Sequence, residues 1–385
     1  MKPFSRQSID KKDINAVLKV LKSNFLTQGP TVKYFEKKIA KFVNCKFAVA
    51  SNSGSSALHI ACLALGIKKN DLVWTVPSTF AASANCAINC GANIDFVDID
   101  KETFNISVEK LSVKLEEARK KKRLPKLIIP VHLGGQPTEQ KKIWKLSKKY
   151  KFKILEDASH SIGAKHFGEP TGSCKWSHIT VFSFHPVKII TTGEGGVALT
   201  NDKKVAYKMQ MFRTNGITKE RKRFIFKNKN SPWYYEQQNT GFNYRMSDIS
   251  AALGLSQLKK INKFLKKRNQ IANLYKKLLF GIPIKIQKIL PQNYSSYHLF
   301  IISFDLKSCK YNYKQLFKKF REKKIFVNLH YMPLHLNPYF KKLGFKKKQY
   351  PVAESYAQNS LSIPIYYGLK KKEIYRIVQL IKSFF

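Results

Sequence analysis

The lysine at position 188 has neighbours that set it apart from the other lysines of this chain. It stands in Phe184-His-Pro-Val-Lys-Ile-Ile-Thr-Thr-Gly-Glu-Gly-Gly196, behind the apolar run Ile179, Val181, Phe182 and Phe184. A lysine fixed among apolar neighbours loses solvation that favours its ammonium form, which leaves a nucleophilic amine suited to a Schiff base with a carbonyl compound. Pro186 bars a helix just before it, and Gly193, Gly195 and Gly196 leave the following backbone free to turn tightly. About thirty residues upstream, Ile154-Leu-Glu-Asp-Ala-Ser-His160 ends a second apolar run in the acids Glu156 and Asp157, with His160 next. Open α/β sheets hold their ligands at the carboxyl ends of buried strands. An acid at one such end and an amine at the next would face one bound ligand.

A third stretch, Asn52-Ser-Gly-Ser-Ser-Ala-Leu-His59, joins a strand at 47–50 to an apolar helix, 57–65. Small hydroxylated residues at such a turn free backbone N–H groups and the positive helix end for an anion. No GxGxxG accompanies it, so a dinucleotide fold is not indicated.

The elements that must position these residues alternate. Helices are expected at 8–22, 31–43, 81–90, 107–124 and 138–150, and strands at 73–76, 93–97, 127–132, 154–157 and 179–184. Residues 196–200 return as a strand, the candidate antiparallel member, before a helix from 201. This order predicts an α/β fold with a mainly parallel central sheet wrapped by helices on both faces. Residues 218–231 are basic and poorly patterned, a surface loop. A long helical run, 247–278, leads to a smaller α+β unit with strands at 297–304 and 325–331 and helices at 312–322, 351–359 and 370–384. The expected division is a large domain, 1–248, and a smaller one, 249–385.

With 385 residues, 43% of them hydrophobic, the chain can bury two cores. Its net charge of +47 raises nucleic acid as a partner, but only ten of the 71 basic residues are arginine and the lysines scatter along the chain. Base and phosphate recognition favours arginine forks gathered on one face, so the bias reads as a solvated surface with no nucleic-acid partner. The field should still favour capture of anionic substrates. The six cysteines make no CxxC or His-rich zinc pattern, and no metal site is expected; Cys86 and Cys90 read as core thiols. The amino end has no apolar signal core and no run approaches ~18 apolar residues, so the expectation is a cytoplasmic protein without a membrane span.

Taken together, the ordered pair Asp157 and Lys188, the serines at 53–56 and the segment Gly241-Phe-Asn-Tyr-Arg245 resemble the fold type I sugar aminotransferases of the DegT/DnrJ/EryC1/StrS family over essentially the whole chain. Pro232-Trp-Tyr-Tyr-Glu-Gln-Gln238, Phe184-His-Pro-Val-Lys-Ile-Ile-Thr-Thr192 and Val327-Asn-Leu-His-Tyr-Met-Pro333 are most similar to the branch acting on pseudaminic-acid precursors. The resemblance implies a pyridoxal 5'-phosphate cofactor bonded to Lys188, with Asp157 at its ring nitrogen, Phe80 stacked on the ring and His160 orienting the ring hydroxyl or Asp157. Ser55, Ser56, Ser183 and Asn243 would anchor the phosphate. Thr27, Arg245, His330 and Tyr331 would meet the substrate. Asn243 and Arg245 would come from the neighbouring subunit of a homodimer with shared active sites. The implied reaction moves the amino group of L-glutamate to C4 of a UDP-4-keto-6-deoxy-N-acetyl-hexosamine in two half-reactions, giving UDP-4-amino-4,6-dideoxy-N-acetyl-β-L-altrosamine. Gly193 departs from the alanine more usual there. Relatives that carry histidine in place of the lysine are dehydrases, and Lys188 argues against that chemistry. Two other readings remain open: an aminotransferase for another nucleotide-linked 3- or 4-keto sugar, and a non-enzymatic basic nucleic-acid-binding protein, motivated by charge alone.

Overall fold

The computed structural model describes residues 3–226 and 231–385; of the basic stretch expected as a loop, 227–230 lie outside the described residues. Helix α1 (Lys11–Leu21) starts where Asp10 accepts from the amides of Lys12 and Asp13 while Asp13 reciprocates, a capping box. Helix α2 (Pro30–Phe42) follows, with proline in its first turn where no amide donor is needed. There follow β1 (Phe47–Ser51), α3 (Gly54–Ala64), β2 (Leu72–Thr75), α4 (Ala82–Ile88), β3 (Asn93–Phe96), α5 (Val108–Lys120), β4 (Leu127–Ile128), α6 (Gln140–Tyr150) and β5 (Lys153–Asp157). The short strands β6 (Lys165–His166) and β7 (Glu169–Pro170) precede β8 (Ile179–Ser183), β9 (Gly196–Thr200) and α7 (Lys203–Arg213).

Among the described residues these give a seven-stranded sheet in the order β1-β9-β8-β5-β4-β2-β3. β9 runs antiparallel to β1 and β8, and the remaining pairs are parallel. Strand side chains alternate between two cores. Val49, Val181 and Ala198 join the one that holds α3, whereas Ala48, Ala50, Phe182, Val197 and Leu199 join the one that holds α2. Burial on both faces explains why these strands read as continuous apolar runs.

Past the two-residue strands β10 (Ile217–Thr218) and β11 (Glu236–Gln237) come α8 (Asp248–Leu258) and α9 (Ile261–Leu278). The single run expected over 247–278 is broken at Lys259 and Lys260, and residues on both sides of the break, Ala251 of α8 and Ile261, Phe264 and Leu265 of α9, pack in the same core. Gly254 lets α8 press on α2, because a Cβ there would lie 2.7 Å from the Phe35 ring. α9 begins against the large domain through Ile261, Phe264 and Leu265 and ends in the smaller core through Ile271, Ala272 and Tyr275. The passage between cores therefore falls inside α9.

The rest of the chain contains β12 (Ile284–Ile286), β13 (Asn293–Tyr294), β14 (Phe300–Phe304), α10 (Tyr313–Glu322), α11 (Pro338–Lys342), α12 (Pro351–Asn359), β15 (Ser360–Ile363) and α13 (Lys371–Lys382), of which α11 and α12 pack through Phe340, Ala353 and Tyr356 into the core of the large sheet. β12, β14 and β15 form its antiparallel sheet, and β13 pairs back to β6 of the large domain. Two expected strands are shorter than the patterning suggested. Over 127–132 the ladder stops at Ile128, because Pro130 has no amide to donate, and resumes as one bridge from Val131 to Asp157. Over 325–331 there are only isolated bridges, at Ile325 and at Asn328, which pairs with Ser362. Among the described residues no helix is long and apolar enough to cross a membrane.

Candidate active site

A cavity of about 630 Å³ opens at the carboxyl edge of the large sheet. It receives the segments that follow β1, β2, β4, β5 and β8, and its far side is built by residues 328–331.

Lys188 sits in the loop joining β8 to β9. Their ladder closes with Ser183 opposite Gly196, and the loop is cinched where Phe184 donates to Gly195 O (2.9 Å) and Thr192 donates to Phe184 O (3.0 Å). Phe184, Ile189 and Ile190 are buried beneath it. The lysine is thus gripped by apolar neighbours on both sides while its side chain stays partly open to the cavity. Burial pulls its pKa down to about 8, against a smaller opposing pull from Asp157. Gly193 has φ 78°, in the left-handed region, which accounts for glycine where the family resemblance favours alanine.

Asp157 ends β5. Ser83 Oγ donates to its Oδ2 at 2.6 Å and the Ser159 amide to its Oδ1 at 3.1 Å. Strand alternation sends Glu156 the other way, to a buried position where it accepts from Thr180 Oγ1 (2.7 Å) and Gln140 Nε2 and where burial raises its pKa. The acidic pair therefore splits into one cavity residue and one interior residue.

The turn from β1 into α3 lines the cavity with Ser53, Gly54 and Ser55, opposite Ser183. Ser53 caps the helix by accepting from the Ser56 amide (3.1 Å), and Ser56 Oγ accepts from the Ser53 amide (3.0 Å). Ser56 is buried, its hydroxyl also bonded to Asn52, and it lies outside the cavity lining. The first-turn amides of Gly54 and Ser55 have no helical partner of their own. Glycine is required at two points, one in this turn and one packed against it: a Cβ on Gly54 would lie 2.8 Å from Ser183 Cβ, and one on Gly196, the first residue of β9, would lie 2.4 Å from Ser53 O.

His160, Phe80, His330 and Tyr331 close the remaining sides. His160 Nε2 lies 3.1 Å from Tyr331 Oη, and His160 Nδ1 accepts from the Gly134 amide at 3.4 Å. With Nδ1 accepting, Nε2 carries the proton and donates to Tyr331, which leaves the phenol O–H free to donate. His330 Nδ1 is 2.9 Å from Ser362 Oγ. Phe80 is 58% exposed, its ring 6.0 Å from that of Tyr331. Burial holds His160, His298 and His330 as neutral rings, with the Lys188 charge adding to the effect.

Thr27, Asn243 and Arg245 are not in the lining. Thr27 is exposed and bridges to Ser247; Asn243 is exposed and bridges to Thr214. The segment carrying Asn243 and Arg245 is docked beside the turn from β1 into α3, since the Asn52 amide donates to Tyr244 O at 2.9 Å. Among the described lining residues Lys188 is the lone Lys or Arg. Sequence reasoning missed Phe4, Ser83 and Asn328. For Ser83 a signal existed, a hydroxyl in the otherwise Ala-rich Phe80-Ala-Ala-Ser-Ala84; Phe4 and Asn328 carried none.

Comparison with known proteins gives a match over residues 7–382 to the model of the DegT/DnrJ/EryC1/StrS aminotransferase family. The chain is 37% identical over 374 residues to a UDP-4-amino-4,6-dideoxy-N-acetyl-beta-L-altrosamine transaminase of Campylobacter jejuni, covering 96% of this chain and 94% of that one. Helicobacter pylori PseC, an aminotransferase involved in the biosynthesis of pseudoaminic acid, superposes with a TM-score of 0.89 at 30% identity, covering 100% of this chain and 99% of that one. The PLP form of Spr1654 from Streptococcus pneumoniae, a putative sugar aminotransferase, gives a TM-score of 0.88 at 27% identity, covering 99% and 97%.

Proposed function

This chain belongs to the DegT/DnrJ/EryC1/StrS aminotransferase family, and on that premise we propose that it is a cytoplasmic pyridoxal 5'-phosphate enzyme that moves the amino group of L-glutamate to C4 of a UDP-4-keto-6-deoxy-N-acetyl-hexosamine. The observation that carries the reading is the shared cavity of Lys188 and Asp157, with the capped turn at Ser55 beside them.

The residues present fit the cofactor. A pocket-facing amine suits its aldehyde, a carboxylate held by Ser83 suits its ring nitrogen, and a glycine-tight helix N-terminus suits its phosphate. Ser55, Ser183 and the first-turn amides would hold the phosphate, with Ser56 bracing them from the capping box and Asn243 of a second copy completing the cradle. Phe80 would cover the ring face and His160 its hydroxyl edge. When bound, the cofactor supplies an electron sink for the pair left when a proton leaves carbon.

The chain's own residues do the rest. Lys188 Nζ, whose neutral form burial favours, holds the cofactor at rest. It then takes the proton from Cα of glutamate and in the second half-reaction returns one to C4 of the sugar. Tyr331, fixed as a donor by His160, turns its O–H toward a substrate oxygen, with His330 and Thr27 as further sugar contacts. A phosphate, a diphosphate and two carboxylates need more cations than one lysine, which supports Arg245 entering from a second copy of the chain. The exposed apolar face of α1 and its following turn, Ile14, Leu18, Leu21 and Phe25, supports a homodimer.

A half-reaction screen tests the reading. Glutamate should convert the cofactor to its amine form, and the UDP-4-keto-6-deoxy sugar should restore the aldehyde spectrum, with product NMR showing nitrogen at C4. Restoration by a 3-keto sugar alone would establish the sister activity within the family; restoration by no nucleotide-linked keto sugar would refute the proposal.

A further inference from the structure

The segment ahead of α1 forms part of the cavity wall. Phe4 lines the cavity, and its ring meets that of His330 edge-on at 4.9 Å between centroids. Three bonds fix it there. The Ile365 amide of the small domain donates to Phe4 O at 3.0 Å, Ser5 Oγ donates to Val187 O at 2.7 Å, and Arg268 Nη2 donates to Ser5 Oγ at 3.4 Å. Val187 is the residue before Lys188, so the N-terminal segment is tied directly to the lysine loop.

Arg268 gives this anchorage its weight. It is 2% exposed, in the helix that joins the two cores, and Nη1 donates only to neutral oxygens, those of Tyr297 (3.1 Å), His298 (3.2 Å) and Ile365 (2.9 Å). A buried guanidinium with no carboxylate partner among the described residues is costly to keep, and here it bonds to the N-terminal segment and the small domain and reaches the lysine loop through Ser5.

We propose that Phe4 is a specificity-determining residue, the platform on which the ring of the nucleotide-linked sugar packs. This rests on the function proposed above and names the substrate that the wall discriminates. Glutamate has two charged ends and a short chain, with nothing to gain from a phenyl face. A 6-deoxy sugar has a methyl group and axial C–H bonds that bury well against an aromatic ring. Phe4 packs with His330 and lines the same cavity as Asp157 and Ser183.

The test follows each half-reaction separately in Phe4→Ala, Phe4→Leu and Phe4→Tyr, with calorimetric Kd values for the UDP-amino-sugar product. Phe4→Ala should weaken product binding and lower kcat/KM of the sugar half-reaction by roughly 10- to 100-fold, mostly through KM, and at least about five-fold more than the glutamate half-reaction. Phe4→Tyr should recover most of the loss, and Phe4→Leu, which keeps the volume, should fall between. Equal losses in both half-reactions, or unchanged sugar binding in Phe4→Ala, would overturn the role of Phe4 while leaving the enzyme assignment intact. A wild-type protein that reacts with glutamate but with no nucleotide-linked keto sugar would overturn both.

Discussion

Ser83 Oγ lies 2.6 Å from Asp157 Oδ2, and Thr79 Oγ1 lies 2.8 Å from Ser83 Oγ. Since the carboxylate can only accept from Ser83, Thr79 must donate to Ser83, and the three side chains form a one-way relay that fixes the acid's orientation. Asp157→Asn should cost about two to three orders of magnitude in kcat, the scale of losing a preorganised charge partner. Ser83→Ala keeps the acid but frees it to rotate, and should cost about ten-fold, with a shifted absorption maximum of the bound cofactor. Full activity and an unchanged spectrum in Ser83→Ala would show that the relay is structural only.

Lys188 gives a pH signature. Its amine is the nucleophile when neutral, and burial sets that change at about pH 8 and not near 10.5. Recombination of cofactor-free protein with pyridoxal phosphate should therefore accelerate as pH rises through about 8 and level off above it, as stopped-flow absorbance would record. Acceleration continuing towards pH 10 would place the amine in a solvated setting.

Buried histidines should make the fold acid-labile. Burial pulls His132 and His330 down to about 3, and lowers His160 and His298 as well. The unfolded chain takes up protons at these rings below about pH 6.5 while the folded chain does not, so their contribution is complete above 6.5 and is lost as pH falls toward about 3. Each adds up to about 1.4 kcal/mol per pH unit to the slope. Urea midpoints should drop between pH 6.5 and 5, above the range where most carboxylates titrate; a flat profile there would contradict this.

Shared sites predict complementation. Lys188→Ala and Arg245→Ala should each be nearly inactive alone. Mixed after dissociation and reassembly, they should recover about a quarter of wild-type activity, because random two-fold pairing makes half the dimers mixed, each with one intact site. Leu18→Glu, which charges the apolar face of α1, should shift the protein toward monomer in ultracentrifugation and depress activity. No recovery on mixing would mean that Arg245 serves its own chain's cavity or none.

The parts of the site that could be read from sequence share one property: each follows directly on an apolar strand. Ser55 follows β1, Asp157 ends β5 and Lys188 follows β8, so the α/β pattern alone brings them to one sheet edge. Arg268 reads as one more cation on a lysine-rich helix, and only the fold shows it buried among carbonyls. Phe4 precedes any periodic segment, and its position depends on bonds to residues 187, 268 and 365, contacts too distant in sequence for local pattern to hold. β15 escaped notice because Ser360 passes from α12 straight into extended backbone with no turn residue between. Glu156 and Asp157 were separable in principle, since adjacent strand residues face opposite ways, but only the direction of β5 decides which one meets the ligand.

The most direct measurement is borohydride reduction of the cofactor-loaded protein followed by peptide mass spectrometry. A single pyridoxyl modification is expected on the peptide carrying Lys188, abolished if glutamate first converts the cofactor to its amine form. A modification on any other lysine, or a coloured protein that reduces without covalent label, would contradict it.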